Sequence, residues 1–464
     1  MIQQIDGHTR LLGLLGNPVE HTLSPVIHNT LSEILGQNRV YVPFHVEGSG
    51  LEQAVRGAFD LNILGLNVTV PHKNAVMQYT VELDEAAKAI GAVNTLVRRS
   101  EGYQGYNTDM PGLLRAIQSD GIELKNQTVV ILGAGGASKA VAYMCMQEEA
   151  KAVYLLNRTV EKAQAIADSL NRLFEKTVIK AMAVEDYGKL PAVSRIVFQC
   201  TSLGLSPRVD DVIIEDRKFY EQVSVGVDLI YNPAETRFMN LVRAAGGQAY
   251  NGLKMLLYQG IIAYELWNRV QVTAEQAELV YDRLYEAIHP SGDNIVLIGF
   301  MGSGKTTVGR QIEKAYGYSF LDTDAYIEAR EGRSISRIFT EEGEEYFRKL
   351  EEAVLKELIA NTSHALIATG GGMPLKKENA RLLRELGQVF YLETSEEGVW
   401  ERIKDSHDRP LLECEDPQQR IHELMKVRQP LYRSAAHVRI STDGRGVAEL
   451  AEEIYQTMEG GYRK

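Results

Sequence analysis

Residues 294–309 read NIVLIGFMGSGKTTVG, and this stretch decides the fold of the chain's second part. The apolar run 295–298 has the length and composition of a buried strand in a parallel sheet. The next eight residues, GFMGSGKT, fit G-x-x-x-x-G-K-[ST], a strand–loop–helix cradle for phosphates. Backbone N–H groups of such a loop hold phosphate oxygens, Lys305 reaches the β and γ oxygens, and the Thr306 hydroxyl holds Mg²⁺. Gly302, Ser303, Gly304, Lys305, Thr306 and Thr307 are therefore expected to bind ATP or GTP. The pattern names a nucleoside triphosphate but no acceptor, and it begins almost two thirds of the way along 464 residues.

A chain of 464 residues divides into roughly two or three domains. Hydrophobic residues at 44% and charged residues at 24% suit a globular chain with a substantial core. A net charge of −12, offset by no basic run, argues against general nucleic-acid affinity and demands a locally basic pocket for any anionic substrate. Cys145, Cys200 and Cys414 form no CxxC pair, so neither a disulfide framework nor a zinc site is indicated. The early Asp6 and short apolar run make a poor secretory signal, and no stretch of 18 uncharged apolar residues offers a membrane span. A soluble cytoplasmic protein is expected, with monomer and homodimer equally open.

Strand-like and helix-like segments alternate throughout, which predicts α/β architecture with mostly parallel sheets. AIHPSGDN, residues 287–294, follows a helical pattern over 273–288 and has linker composition. A boundary there separates residues 1–290 from 291–464.

A second glycine loop lies in the first block. TVVILGAGGASKAVAYM, residues 128–144, is an apolar strand followed by Gly133, Ala134, Gly135, Gly136 and Ala137. Small residues let the backbone approach a pyrophosphate at a helix N-terminus, although an ordinary tight turn reads the same way. The next strand ends in Asn157, Arg158 and Thr159, where an NAD site usually places an acidic residue on the ribose 2′-hydroxyl. Arg158 would instead meet the 2′-phosphate of NADP, or be a solvated strand-end arginine.

With these motifs in order, residues 8–288 resemble the shikimate dehydrogenase family, through GNPVEHTLSP (16–25), NVTVPHK (67–73), GAVNTL (91–96), GYNTDMPG (105–112), DLIYNPAETRF (228–238) and NGLKMLLYQGIIAYELW (251–267). The resemblance implies reduction of 3-dehydroshikimate by NADPH, with Lys73 and Asp109 as the catalytic pair. A carbonyl reduced by hydride needs a proton donor, and a carboxylate beside the lysine keeps it oriented and charged. It further implies that Asn67, Thr69 and Asn94 meet ring hydroxyls and that Thr22 and Ser24 take the substrate carboxylate. Tyr231 and Gln259 would close the pocket, and Gly252 would touch the cofactor. Thr22 replaces a serine of the family pattern, and His72 an aromatic residue, leaving quinate preference and the role of His72 open. Motif order implies a substrate domain of residues 1–112 and 251–290 interrupted by a Rossmann NADP domain of residues 113–250, with the site between them.

Residues 294–455 resemble shikimate kinase through FLDTDAYIE (320–328), IFTEEGEEYFRKLEE (338–352), ATGGGMPL (368–375), DRPLL (408–412) and VRQPLY (427–432). The implied fold is a P-loop domain like nucleoside-monophosphate kinases. Asp324 would orient or deprotonate the acceptor hydroxyl, and Asp322, on the same face of an extended segment, would face Mg²⁺ through water. Arg348 and Arg428 would grip the substrate carboxylate, and Gly370, Gly371 and Gly372 would lay backbone amides against the ring. Arg409 matches the lid arginine over the phosphates. Arg402 matches an adenine contact, or is one charge among many on its helix. The first block's product is the second block's substrate, which implies a bifunctional enzyme of aromatic amino-acid biosynthesis. The alternatives are quinate or relaxed cofactor chemistry in the first block, or one block kept as a non-catalytic ligand sensor. The presence of Lys73, Asp109, Lys305, Asp322 and Asp324 disfavours the sensor.

Overall fold

The computed structural model describes residues 5–205, 208–289, 291–404 and 416–461. The chain forms two compact units, Met1–Leu284 and Tyr285–Lys464. They divide within the helix Ala274–Ile288, before the linker composition begins to change.

The first unit holds two six-stranded sheets. In one, strands Arg39–His45, Arg10–Gly16 and Gly65–Val68 run parallel; Thr95–Arg98 and Tyr103–Tyr106 continue the sheet antiparallel, and Glu82–Leu83 closes its edge. The other is wholly parallel, in the order Gln248–Tyr250, Val223–Asp228, Arg195–Gln199, Thr128–Leu132, Ala152–Asn157, Ile179–Ala183. Val129, Val130, Ile131 and Leu132 are fully buried, because helices cover both faces of a doubly wound sheet. Strand order reverses beside Thr128–Leu132, and the glycine loop leaves that strand at its C-terminal end, where such sheets bind ligands.

Two helices carry the chain between the sheets. Asp109–Ser119 leads out of the first sheet and Leu253–Asn268 returns to it. The helix Asp109–Ser119 thus runs across the expected boundary at residues 112/113. These helices meet at backbone distance: a Cβ on Gly112 would lie 2.6 Å from the Gln259 nitrogen. Any side chain at Gly112 would push away the helix that carries Gln259.

The second unit is a five-stranded parallel sheet in the order Ser319–Asp322, Ala365–Ala368, Asn294–Ile298, Gly387–Glu393, Val438–Ser441. Asn294–Ile298 is central and buried throughout, as its apolar run requires. The charged stretch EEGEEYFRKLEE lies in the helix Ile335–Asn361, which breaks at Gly343, where φ is +84°. Among the described residues no helix is long and apolar enough to cross a membrane.

Candidate active sites

A cavity of about 370 Å³ in the first unit gathers all nine residues expected to meet the substrate: Thr22, Ser24, Asn67, Thr69, Lys73, Asn94, Asp109, Tyr231 and Gln259. Gly252, expected at the cofactor, lines the same cavity. Lys73 Nζ donates to Asp109 Oδ2 at 2.6 Å. Asp109 sits in the first turn of its helix, where the N-terminal dipole favours a carboxylate. Asn94 Nδ2 donates to the other oxygen at 2.9 Å, so both carboxylate oxygens are held.

The two asparagines differ from the sequence expectation. Both line the cavity, but their amides are committed to the protein. Asn94 Nδ2 also donates to Thr108 Oγ1, and its Oδ1 takes the Thr108 N–H at 2.8 Å. Asn67 Nδ2 donates to Thr95 Oγ1 and the Asn94 carbonyl, while its Oδ1 accepts from Tyr41. With these bonds the two amides brace the Lys73–Asp109 pair, Asn94 directly and Asn67 through Thr95 and Asn94. The remaining polar groups of the cavity include the paired hydroxyls of Thr22 and Ser24, 3.2 Å apart, with Thr69, Tyr231 and Gln259. Burial pushes the Tyr231 phenol above its usual range. Gln259 anchors its Nε2 on the Leu256 carbonyl, leaving Oε1 to accept. His72 is buried, and its Nε2–H donates to the Val46 carbonyl at 2.7 Å, an anchoring bond.

At the glycine loop, Gly133 has φ +111°, and a Cβ there would meet Thr201 Cγ2 at 3.1 Å. Gly135 and Gly136 face open space at the N-terminus of the helix Gly136–Gln147. Ala134 and Ala137 flank them with small side chains. Asn157 Nδ2 fixes the turn by donating to the Thr159 carbonyl at 2.9 Å. Arg158 is exposed there, and no acidic partner neutralises it among the described residues. Open glycines at a helix N-terminus beside an unneutralised guanidinium fit a dinucleotide bearing an extra phosphate. Sequence reading missed Lys139, one turn into that helix, whose half-buried amine has its pKa lowered by burial.

In the second unit Gly299, Gly302 and Gly304 all have positive φ, which gives the loop its tight course. Lys305 Nζ donates to the carbonyls of Gly299 and Phe300 at 2.9 and 3.0 Å. The hydroxyls differ: Ser303 is buried, whereas Thr306 and Thr307 are exposed. Thr306 Oγ1 lies 3.4 Å from Asp322 Oδ2, a pair of hard oxygens of the kind Mg²⁺ prefers.

Asp322 and Asp324 do not share one face of an extended segment. The strand ends at Asp322, whose Oδ1 caps the helix Thr323–Glu331 by accepting from Asp324 N and Ala325 N. Capping turns the chain, so Asp324 lies in the helix's first turn. Burial first, and repulsion from Asp322 second, push the Asp324 carboxyl up to about 6, against the pull of Lys305 and Arg348. The glycine triplet explains itself sterically. A Cβ on Gly370 would lie 2.3 Å from Asp324 Oδ1, and one on Gly372 would lie 2.8 Å from Arg348 Nη1. Tyr432 fixes Gly371 by donating to its carbonyl at 2.6 Å.

Arg348 donates to the buried Glu351 at 2.8 Å and to Glu344 at 3.0 Å. Arg428 lies over the Phe300 ring, 5.8 Å from its centroid. Arg402, expected at adenine, braces the P-loop. Its Nη1 donates to the Gly302 and Ser303 carbonyls at 3.3 Å and to Thr442 Oγ1 at 3.0 Å, and its Nη2 donates to the Thr442 carbonyl. Nothing in the sequence marked Thr442 or its buried partner Thr394. Arg409 and the rest of DRPLL lie outside the described residues.

Such an arrangement is that of a dinucleotide-dependent dehydrogenase followed by a P-loop phosphotransferase. Comparison with known families is more particular. Residues 14–96 match the shikimate dehydrogenase substrate-binding domain, residues 115–224 the shikimate/quinate 5-dehydrogenase family, and residues 301–459 shikimate kinase. The chain is 41% identical over 269 residues to a shikimate dehydrogenase (NADP(+)) of Desulforamulus reducens, covering 57% of this chain and 91% of that protein. It is 41% identical over 278 residues to one of Methanopyrus kandleri, covering 58% and 94%. A crystal structure of a shikimate dehydrogenase in complex with NADP+ superposes with a TM-score of 0.56 at 35% identity, over 62% of this chain and 98% of that one. The chain belongs to the shikimate dehydrogenase family and carries a shikimate kinase domain after it, a bifunctional enzyme of the shikimate pathway.

Proposed function

We propose that the chain reduces 3-dehydroshikimate to shikimate with NADPH and then phosphorylates the 3-hydroxyl of shikimate with ATP. The observation that carries this reading is the convergence of the nine residues named by the resemblance on one cavity around the Lys73–Asp109 pair. NADPH would supply the hydride, held by Gly133–Ala137 and Arg158. Lys73 delivers the proton to the forming alkoxide, and Asp109 keeps the ammonium aimed. Thr22 and Ser24 anchor the substrate carboxylate, Thr69, Tyr231 and Gln259 complete the pocket, and Asn67 and Asn94 hold the pair from behind.

In the second unit Asp324 takes the acceptor proton; its raised pKa suits that task. Arg348 and Arg428 bind the acceptor carboxylate, and the P-loop cradles ATP with Lys305 on the transferring phosphate. Thr306 and Asp322 would hold Mg²⁺, which supplies charge neutralisation when bound.

Steady-state rates with 3-dehydroshikimate and quinate, each with both cofactors, test the first half. Selective use of 3-dehydroshikimate with NADPH, lost in Lys73→Ala, is expected. Equal turnover of quinate with NAD⁺ would contradict it.

A further inference from the structure

An aromatic cluster backs the wall of the dehydrogenase cavity. His28 is fully buried, stacks on Tyr41 with ring centroids 4.2 Å apart, and meets Trp267 at 5.0 Å. His28 Nε2 lies 3.0 Å from Asn67 Oδ1, and the Tyr41 hydroxyl donates to that same oxygen at 2.8 Å.

Two backbone groups with fixed roles orient the whole array. The Asn94 carbonyl can only accept, so the atom 3.3 Å from it is Asn67 Nδ2. The Thr108 N–H can only donate, so the atom 2.8 Å from it is Asn94 Oδ1. Asn67 Oδ1 therefore faces His28, and His28 Nε2 must carry the proton. Burial drives the His28 pKa down to about 3, so the ring is neutral. Its Nδ1 is then a bare buried lone pair with no partner. An unpartnered buried polar atom is costly, whereas the other tautomer would set two lone pairs face to face at Asn67.

From Asn67 the order continues in one direction. Its Nδ2 donates to Thr95 Oγ1 at 3.1 Å, and Thr95 donates to Asn94 Oδ1 at 3.1 Å. Asn94 Nδ2 donates to Asp109 Oδ1 at 2.9 Å, and Lys73 closes on Asp109 Oδ2 at 2.6 Å.

We infer that His28 and Tyr41 are positioning residues for the reduction: their two donors lock the Asn67 amide, and through Thr95 and Asn94 that lock fixes the Asp109 carboxylate that aims Lys73. Neither side chain lines the cavity. The inference rests on the dehydrogenase reading of the first unit.

The test uses the full chain carrying His28→Leu, His28→Gln or Tyr41→Phe, with kinase turnover in the same sample as a control for intact protein. His28→Leu is expected to lower dehydrogenase kcat about tenfold with a smaller change in KM, and Tyr41→Phe to lower it about threefold. His28→Gln, whose amide N–H can reach the same oxygen, is expected to recover most of the loss. Should His28→Leu not fold, Tyr41→Phe, which removes a single oxygen, carries the test. Wild-type kcat in folded His28→Leu or Tyr41→Phe would overturn the inference, as would a leucine and glutamine pair that fall equally. Nitrogen-15 spectra of the imidazoles provide a readout independent of turnover: a neutral Nε2–H ring is expected for His28, and an Nδ1–H ring would overturn the inference. Failure of the wild type to reduce 3-dehydroshikimate, with the Nε2–H ring intact, would instead strike the functional reading.

Discussion

The two sites manage their charges in opposite ways. In the dehydrogenase cavity Lys73 and Asp109 are bonded to one another, and asparagines saturated by neighbouring groups hold the pair. Little needs to move before a proton can be delivered. In the kinase unit the key cations are engaged elsewhere: Lys305 on carbonyls of its own loop, Arg348 on Glu344 and Glu351. Phosphates and an acceptor carboxylate must compete for those groups. The first arrangement is a closed set of mutual bonds, whereas in the second the cations bond their own loop and helix.

The largest effects should come from removing the pieces that differ. Lys305→Ala should abolish ATP turnover, by about a thousandfold or more, without touching NADPH oxidation, because phosphoryl transfer depends on positioned charge. Measuring both rates on one sample checks this. A similar loss in both reactions would break the contrast.

Gly370→Ala comes next. Its methyl would press on the Asp324 carboxylate from 2.3 Å, and kinase kcat should fall about a hundredfold while the melting temperature changes little. The same substitution at Gly135, which faces open space, should leave the fold intact and weaken NADPH binding, read by fluorescence titration.

The pH dependence sharpens the comparison. Asp324 must be ionised to accept a proton, and its pKa is raised to about 6, so kinase kcat should rise with pH through about 6 and then level. Asp324→Asn should lose both the rate and that limb. A limb that survives the substitution belongs to another group.

Smaller changes should follow at the edges. Arg158→Asp should raise the KM for NADPH about tenfold or more and improve relative use of NADH, because a carboxylate suits a ribose hydroxyl and repels a phosphate. Arg402→Ala should weaken ATP binding only severalfold, since it removes a brace on the loop and not a phosphate contact.

Much of this was legible along the chain. The P-loop, the glycine loop and the Lys73, Asp109 and Asp324 positions are local patterns, and local patterns survive in a one-dimensional string. Saturation of Asn67 and Asn94 was not legible, because Tyr41, His28, Thr95 and Thr108 come from separate strands, helices and loops. Asp322 and Asp324 were read with the period of a strand, and helix capping overrode it. The helix Asp109–Ser119 spans the boundary expected after residue 112, since helical period continues through a change of domain. Arg402 was assigned by motif position; its partner Thr442 is a long-range neighbour that composition does not signal.

Two successive reactions on one chain can be read in a single assay that supplies 3-dehydroshikimate, NADPH and MgATP together and follows NADPH loss and ADP formation. Both signals are expected in the wild type, neither in Lys73→Ala, and NADPH loss alone in Lys305→Ala. NADPH loss without ADP in the wild type, even after shikimate is added directly, would contradict the two-step reaction.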